Sequence, residues 1–407
     1  MNIWYLSAHD QPRGRSSRTY DFAKSLLRLG HQVTMLTNSI CHWTHEDYLG
    51  ENEKWRIEDV DGIRVVWLKT TPYKGNGIQR GINMLSNVRR SLQVSNVLVD
   101  RPDVVIGPSV PLGTGWAASH IAQKMGSAFV FEVRDVWPIA LVDDGSLSTL
   151  NPVYHIFRWL EKKLYRNACL ISSTLPLLSE HVAKSGANPD KVFWIPNGVD
   201  FDRFQCASKP QPVSSNGFVV MYVGGFGAAH DVMTIVRAAK ILQDRGEARV
   251  LFDIIGDGVN KPQCQKMAVD NQLKNIRFKG SVKKSEVPII QSQADILVAS
   301  VVDSQIYHRF GINLNKIYDY FASAKPVLFS GVTKNDPVQE AGAGFSIAPE
   351  DPVAMADTIM KLMEMGQDAR RAMGKKGRLY VEKNFDMSVL GKRMEFILEE
   401  SINNKKG

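Results

Sequence analysis

Short apolar runs alternate with amphipathic stretches along the first half of the chain. The stretch that follows the first run carries Tyr20, Phe22, Leu26 and Leu27 mostly on one side of a predicted helix, which Gly30 ends. Residues 38–62 are polar and irregular, and no element is predicted there. This alternation predicts a parallel α/β sheet. Its predicted strands are Ile3–Ser7, Gln32–Thr37, Ile63–Leu68, Val104–Ile106, Ala128–Val133, Cys169–Ser172 and Val192–Ile195.

The pattern restarts after residues 205–217, which are rich in Pro and Ser and resemble a surface connector. We therefore predict two doubly wound α/β domains that face each other across a cleft, 1–204 and 205–385. The C-terminal helix, 386–407, is predicted to pack back on the first domain. The second domain has predicted strands Phe218–Val223, Val250–Ile255, Ile276–Phe278, Ile296–Ala299 and Pro326–Ser330.

The stretch 300–330 has the features of an anion site. A polar loop follows the strand Ile296–Ala299 and leads through Gly311 to a helix predicted to open at about Ile312. Free N–H groups and the positive dipole end at a helix start favour anions, and Lys316 adds a full charge. Asp319 shares the helix face with Lys316 and would suit a hydroxyl-bearing group. The alternative interpretation is an ordinary turn with a surface Lys–Asp pair.

Charged residues also follow the predicted strand Ala128–Val133. Glu132, Arg134 and Asp135 stand at its carboxyl end, where a buried charge needs a partner. A functional cluster and a structural pair of Arg134 with Asp135 or Glu132 are both compatible with this pattern.

The composition limits the class of protein but does not identify a ligand. The 407 residues are 44% hydrophobic and 23% charged, and they contain no apolar run long enough to span a membrane and no signal-peptide pattern. Four scattered cysteines favour a reducing compartment and argue against a zinc site. The net charge of +8 is compatible with acidic ligands, nucleic acid or an anionic membrane. The basic helix predicted within 78–98 is either a membrane-surface helix or a domain helix with a solvated face.

Several segments together resemble retaining glycosyltransferases of family 4, which have the GT-B fold. The resemblance covers nearly the whole chain. It is carried by LGHQVT at 29–34, IPNGVD at 195–200, YVGG at 222–225, and NKIYDY at 315–320 with KPV at 325–327. The segment EVRDVWP at 132–138 is similar to one found in members that build bacterial surface polysaccharides.

The resemblance implies roles for individual residues. Lys316 and Arg134 would be the catalytic charges, and Asp135 or Glu132 would orient Arg134. Asp319 would accept from ribose hydroxyls and Val282 would pack on the base. The other implied donor-binding residues are Gly224, Gly225, Gly227, His230, Asp257, Gly258, Gly311, Asn313 and Asn315, and the implied acceptor-side residues are Gly14, Arg15, Ser16 and Glu132.

Two departures from the family pattern make Lys316 the expected main positive charge at the donor site. The first acid of the family's donor motif is replaced by Gly311. The Arg and Lys that commonly contact the diphosphate are replaced by Gly225 and His230. We therefore expect Lys316 to be the main charge on the diphosphate, with His230 and backbone N–H groups assisting.

The implied reaction is a metal-independent transfer from a nucleotide sugar, with UDP the leading expectation and no cofactor. The expected acceptor is a lipid-diphosphate-linked sugar or oligosaccharide, used by a cytoplasmic enzyme that contacts the inner face of the bacterial membrane. A GT-B nucleotide-sugar 2-epimerase is one alternative, kept open by Glu132 and Asp135. A basic nucleic-acid-binding protein is another, but Lys and Arg are spread along the chain without a recognition helix, so nucleic acid is not an expected partner.

Overall fold

The computed structural model describes residues 1–12, 18–41, 44–75, 77–207 and 217–406. The chain divides into two compact units. The N-terminal unit comprises Met1–Asn197 with Met387–Gly407, and the C-terminal unit comprises Gly198–Asp386. Each unit is built around one sheet, and the predicted pair of α/β sheets is confirmed.

The described residues of the N-terminal unit form an eight-stranded sheet with the order β3-β4-β2-β1-β5-β6-β7-β8. All neighbouring strands are parallel except β3, which pairs antiparallel with β4. The prediction of no element within 38–62 is therefore wrong at β3, where exposed and half-buried residues hide the strand pattern. The strands are β1 (Asn2–Leu6), β2 (Gln32–Asn38), β3 (Trp55–Val60), β4 (Ile63–Leu68), β5 (Val104–Pro108), β6 (Ala128–Val133), β7 (Leu170–Ser173) and β8 (Val192–Trp194).

Helices cover both faces of this sheet. One group packs together as α2–α3–α5, and α1 packs with the C-terminal helix α15 in another. Leu390, Met394 and Leu398 of α15 are fully buried in one core with Phe22 and Leu26 of α1. The helices of the unit are α1 (Arg18–Arg28), α2 (Ile78–Ser95), α3 (Leu112–Met125), α4 (Ile139–Asp143), α5 (Pro152–Asn167), α6 (Ser179–Lys184) and α15 (Met387–Lys406).

The C-terminal unit has a six-stranded, all-parallel sheet with the order β11-β10-β9-β12-β13-β14. Two of its helices begin with an Asp cap followed by Pro, at Asp336–Pro337 and Asp351–Pro352, and each Asp side chain accepts from the first free N–H groups. Its strands are β9 (Phe218–Val223), β10 (Val250–Ile255), β11 (Ile276–Lys279), β12 (Ile296–Ser300), β13 (Val327–Ser330) and β14 (Gly344–Ile347). Its helices are α7 (Val232–Asp244), α8 (Lys261–Asp270), α9 (Val287–Ser292), α10 (Gln305–Phe310), α11 (Asn315–Ala322), α12 (Pro337–Ala341), α13 (Pro352–Glu364) and α14 (Gln367–Asn384).

The stretch after β12 differs from the prediction. The expected polar loop contains α10, and the next helix begins at Asn315 instead of about Ile312. Ser304 caps α10, and Gly311 ends it with φ +81°, a conformation that residues with a Cβ rarely adopt. No helix in the described part of the chain is long and apolar enough to cross a bilayer.

Candidate functional site

The strand order places two loops side by side in the C-terminal unit. β9 lies next to β12. β10 and β11 lie beyond β9 on one side, and β13 and β14 lie beyond β12 on the other. Ligands of open parallel sheets bind at such a switch point, beyond the carboxyl ends of the strands. The loop after β9 carries Gly224–His230, and the segment after β12 carries α10, Gly311 and the start of α11.

Lys316 joins these two loops. It is the second residue of α11, and its Nζ lies 2.8 Å from the hydroxyl of Tyr222 and 4.3 Å from the centre of the Tyr222 ring. Among the described residues, no carboxylate forms an ion pair with Lys316. Desolvation disfavours the ammonium form and lowers the pKa of Lys316 to about 7. This cation is held at the switch point without the counter-charge that a buried lysine ordinarily requires.

Tyr222 positions both Lys316 and the glycine loop. Its hydroxyl accepts from Lys316 Nζ and donates to the carbonyl oxygen of Gly225 at 2.5 Å. The side chain is fully buried at the end of β9, and burial raises its pKa well above the ordinary value. The sequence analysis did not select Tyr222, because an apolar strand accounts for an aromatic residue at this point.

Close packing accounts for some of the glycines in this region. A Cβ on Gly224 would lie 2.8 Å from Lys316 Nζ. At Gly256, where φ is +141°, a Cβ would lie 1.8 Å from the Gly224 carbonyl oxygen. At Gly258 it would lie 2.9 Å from the Phe226 backbone. Gly256 and Gly258 let the loops after β9 and β10 pack against each other, and Gly224 leaves room for Lys316. Phe226 N–H donates to the Asp257 carbonyl across the contact between the two loops.

Packing does not account for Gly225 and Gly227. A Cβ on either would meet nothing closer than 3.9 Å. Their backbone N–H groups also donate no hydrogen bond to any described residue. A backbone N–H group without a protein acceptor is available to an anionic ligand. The two glycines therefore present bare amides near Lys316 at a place where a side chain would cover them.

The sequence analysis expected His230 to assist Lys316, but its imidazole does not add a second positive charge. Burial, and secondarily the charge of Lys316, lower its pKa to about 3, so the imidazole is neutral at physiological pH. Its Nδ1 is buried without a hydrogen-bond partner among the described residues. Any contribution of His230 to anion binding is through a hydrogen bond and not through charge.

Two polar side chains fix the segment that leads into α11. Asn335 Oδ1 accepts from the N–H of Ile312 at 2.7 Å, and its Nδ2 donates to the Ile312 carbonyl at 3.0 Å. Tyr320 on α11 holds both the N–H and the carbonyl of Val223 at the end of β9. Neither residue was selected from the sequence, since each lies far along the chain from the backbone it holds.

The remaining donor-binding residues occupy different places. Asn315 is the first residue of α11, and Lys316 lies in its first turn. The positive end of the helix dipole is therefore at Leu314–Lys316 and not at Gly311–Asn313. Asp319 is half-buried one turn further on. Asp257 is exposed, and its carboxylate accepts from the Gly258 N–H at 2.8 Å. Val282 is half-buried in the loop after β11. In the sheet, β10 lies between β11 and β9.

The N-terminal unit holds a buried network of charges at the carboxyl end of its sheet. Arg134 uses all three guanidinium nitrogens within the unit. Its Nε donates to Glu132, its Nη1 to Asp10 and its Nη2 to Thr19, each at 2.7 Å. The guanidinium is oriented by these contacts and keeps a small exposed fraction, 16%.

Glu132 lies beneath this network, and its predicted place as an acceptor-side contact is wrong. Its side chain has no exposed surface, and its oxygens accept from Tyr5, Arg18 and Arg134. Burial would raise the pKa of Glu132, but the charges of Arg134 and Arg18 outweigh burial and lower it. The charged carboxylate can therefore orient Arg134, as predicted, but cannot touch a substrate.

Arg18, which the sequence analysis passed over, connects Glu132 to the end of β8. Its Nη2 donates to the Ile195 carbonyl, and its Nη1 donates to the Pro196 carbonyl and to Asn197 Oδ1. The IPN part of the IPNGVD segment is thereby tied to the charge network where the N-terminal unit ends.

Asp135 makes no direct contact with this network. Its carboxylate forms no hydrogen bond or ion pair with any described residue, and the nearby charge of Arg134 only partly offsets the rise that desolvation causes in the pKa of Asp135. The acceptor-side residues Gly14, Arg15 and Ser16 lie outside the described residues. Within the described ranges there is no group of three or more His, Cys, Asp and Glu side chains that could hold a metal ion.

Comparison with known proteins gives a consistent result for both units. Residues 13–198 match the family model of the glycosyl transferase 4-like domain, and residues 217–365 match that of glycosyl transferases group 1. The chain is 23% identical over 278 residues to a probable glycosyltransferase, WbjE, of Pseudomonas aeruginosa, covering 65% of this chain and 67% of that one. It is 21% identical over 295 residues to WcaI of Escherichia coli K12, a putative colanic acid biosynthesis glycosyl transferase, covering 68% and 70%.

The fold has close counterparts among solved structures. The structure of HepE (Alr3699) from Anabaena in complex with UDP and glucose aligns with a TM-score of 0.69 at 14% identity, over 98% of this chain and 99% of that one. At this identity the likeness shows the fold alone, which is GT-B. The two family models show that the chain belongs to the family 4, group 1 glycosyltransferases.

Proposed function

We propose that this enzyme transfers a sugar from a UDP-linked donor to a lipid-linked or saccharide acceptor in bacterial surface polysaccharide synthesis, with retention of configuration. The donor assignment rests on Lys316, which lies at the switch point of the C-terminal unit and has no carboxylate partner among the described residues. The backbone N–H groups of Gly225 and Gly227 lie nearby and donate to no described residue. A nucleoside diphosphate supplies the negative charge that this cluster lacks.

The same cluster suits the chemistry of transfer. As the bond from the sugar to the diphosphate breaks, negative charge accumulates on the leaving oxygen, and groups fixed beforehand stabilise that charge most effectively. We assign this role to Lys316, held by Tyr222, with the start of α11 as a fixed dipole. In a front-face reaction the acceptor oxygen attacks on the side that the diphosphate leaves, and the leaving phosphate oxygen takes the acceptor proton.

Arg134 remains our candidate catalytic group in the N-terminal unit. Its contacts with Glu132, Asp10 and Thr19 fix its direction, and a guanidinium carries two further N–H groups beyond those three. Arg134→Ala should lower the turnover rate with little change in the affinity for free UDP. A large loss of UDP affinity would place Arg134 in the donor site instead.

Two relatives support the choice of donor and pathway. HepE was solved with UDP and glucose, and WcaI is named for colanic acid biosynthesis. The net charge of +8 suits a diphosphate donor and an acceptor linked through diphosphate.

A thermal-shift screen of UDP, GDP, dTDP and ADP with their sugars tests the donor, because a ligand that binds only the native state raises its stability. UDP should raise the melting temperature, and Lys316→Ala should abolish the rise. A larger shift with another nucleotide would contradict the UDP assignment, and no shift with any would contradict the donor site.

Product analysis tests the reaction itself. NMR of the transferred sugar should show the same anomeric configuration as in the donor, with EDTA leaving the rate unchanged. Inversion would refute the retaining mechanism, and loss of activity that added metal restores would refute metal independence. Incubation of the donor without acceptor should leave its sugar unaltered, whereas a 2-epimerase would convert it.

A further inference from the structure

The C-terminal helix α15 turns a large apolar side chain away from the core of the N-terminal unit. Leu390, Met394 and Leu398 on its inner side are fully buried. Phe396 lies on the outer side, and 53% of its surface is exposed. A single exposed aromatic residue is common at a protein surface and does not mark an interaction site by itself. Phe396 calls for an explanation because it borders a cavity.

The cavity lies between α15 and the end of β8, and its volume is about 440 Å³. Phe193 and Ile195 line it on the side of β8, and Val389, Phe396 and Ile397 line it on the side of α15. The ring centres of Phe193 and Phe396 lie 6.2 Å apart, with the edge of one ring toward the other. An apolar cavity of about 150 Å³ is enough to hold a benzene ring, so this cavity can accept an aromatic side chain of a partner.

Two cations precede Phe396 on α15 and two anions follow it. Lys392 and Arg393 lie about one turn before the ring, and Glu399 and Glu400 lie about one turn after it. None of the four forms an ion pair with any described residue. Residues seven apart lie on the same flank of a helix. Lys392 therefore shares one flank of α15 with Glu399, and Arg393 shares the other flank with Glu400.

A second copy of α15 matches all of these charges. When two copies of a helix pack antiparallel about a twofold axis at Phe396, the turn before the axis in one copy faces the turn after it in the other. Lys392 of each copy then faces Glu399 of the other copy. Arg393 faces Glu400 in the same way, and the two Phe396 rings meet at the axis.

The charge pattern also argues against a partner of one sign. An acidic peptide or an anionic surface would attract Lys392 and Arg393 but would repel Glu399 and Glu400, which lie on the same two flanks. A patch that is complementary to itself is what a twofold-symmetric interface requires, since the same surface is used by both subunits.

We propose that this protein forms a twofold-symmetric dimer through α15, in which the Phe396 ring of each copy enters the cavity of the other. The contact consists of one pair of helices with the adjoining end of β8, which is small for a protein interface. We therefore expect the dimer to dissociate in the micromolar range. The interface contains no residue of the proposed donor site, so its test is separate from that of the proposed function.

Sedimentation equilibrium with the full chain, at about 1 to 100 µM, tests the proposal. The wild type should show a dimer whose fraction rises with concentration. Phe396→Ser should weaken dimerisation at least tenfold, because the dimer buries this ring twice. Lys392→Glu with Arg393→Glu should also weaken it at least tenfold, since every attraction across the interface becomes a repulsion. Glu399→Lys with Glu400→Lys should have the same effect.

A mixture of the two charge variants separates charge pairing from misfolding. One variant is acidic at all four positions and the other is basic at all four. In a mixed dimer each basic side chain faces an acidic one, so the equimolar mixture should form dimers with about the affinity of the wild type. Neither variant should do so alone.

A matched control uses an apolar residue of similar exposure in the C-terminal unit. Leu379 on α14 is 56% exposed, and Leu379→Ser should leave the dimer unchanged. A wild-type protein that stays monomeric at about 100 µM would overturn the proposal. A Phe396→Ser protein that dimerises as the wild type does, or a mixture of the charge variants that stays monomeric, would also overturn it.

Discussion

Lys316→Met should make the enzyme more stable and less active at once. Methionine keeps the length of the side chain and removes its charge, so it fits the space beside Tyr222 without an ammonium to desolvate. The active site would lose the cation that the diphosphate requires. When a destabilising group is retained for its chemistry, its replacement is expected to raise stability and to lower activity.

The pKa of Lys316 sets the size of the stability effect. It falls from 10.5 to about 7, and at 1.36 kcal/mol for each unit the charged form costs at most about 5 kcal/mol. Lys316 is partly exposed, so solvent screening reduces this value. We expect Lys316→Met to raise the free energy of unfolding by about 2–3 kcal/mol at pH 6.

The effect should depend on pH in a defined direction. Below pH 7 Lys316 is protonated in both the folded and the unfolded states, and the full penalty applies. Between about 7 and 10.5 the folded state releases the proton while the unfolded state keeps it, so wild-type stability rises with pH relative to the variant. The advantage of Lys316→Met should therefore be smaller at pH 9 than at pH 6.

Urea denaturation of wild type and variant at pH 6 and pH 9 measures both quantities. Lys266→Met is the matched control, since Lys266 lies on the surface of α8 in an ion pair with Asp270. That change should be nearly neutral at both pH values. A Lys316→Met protein no more stable than wild type at pH 6 would refute the reasoning. An advantage that does not change with pH would show that packing, not charge, is responsible.

Four further predictions concern the groups around this lysine and the buried network of the N-terminal unit. Tyr222→Phe removes the hydroxyl between Lys316 and Gly225 and should lower kcat/KM at least tenfold in steady-state assays, with folding intact. Asn335→Ala should weaken UDP binding in calorimetry by about tenfold, because two hydrogen bonds to the loop before α11 are lost. Glu132→Gln should destabilise the protein by about 3–5 kcal/mol in urea denaturation, since Arg18 loses its buried carboxylate partner and Arg134 keeps only Asp10. UDP binding at pH 8, measured in buffers of different ionisation enthalpy, should take up about one proton, because the anion restores the charge of Lys316.

The positions of the two proposed donor loops could be predicted from the sequence because their chemistry is local. A strand, a glycine-rich turn and a helix start are adjacent in the chain, and Lys316 follows directly. The parallel order of strands then brings the loops after β9 and β12 to one edge. Periodicity and spacing are sufficient to predict such an arrangement.

The groups that hold Lys316 could not be located in this way. Tyr222 precedes Lys316 by 94 residues, and Asn335 follows Ile312 by 23, so their pairing depends on the folded chain. The pattern also missed β3, because a strand at the sheet edge lacks a continuous apolar run. The role of Glu132 was misjudged because the sequence does not show that Tyr5, Arg18 and Arg134 enclose it.

The departures from the family pattern have a common physical basis in the structure. Gly225 replaces a cation and leaves its own N–H open, and Gly311 replaces an acid where φ of +81° disfavours a side chain. Gly225 and a neutral His230 together remove two cations while Gly311 removes one acid, so Lys316 is left as the main positive charge at the proposed anion site. A lysine with a pKa of about 7 would be only partly charged without a ligand, and an anion bound beside it would raise that charge.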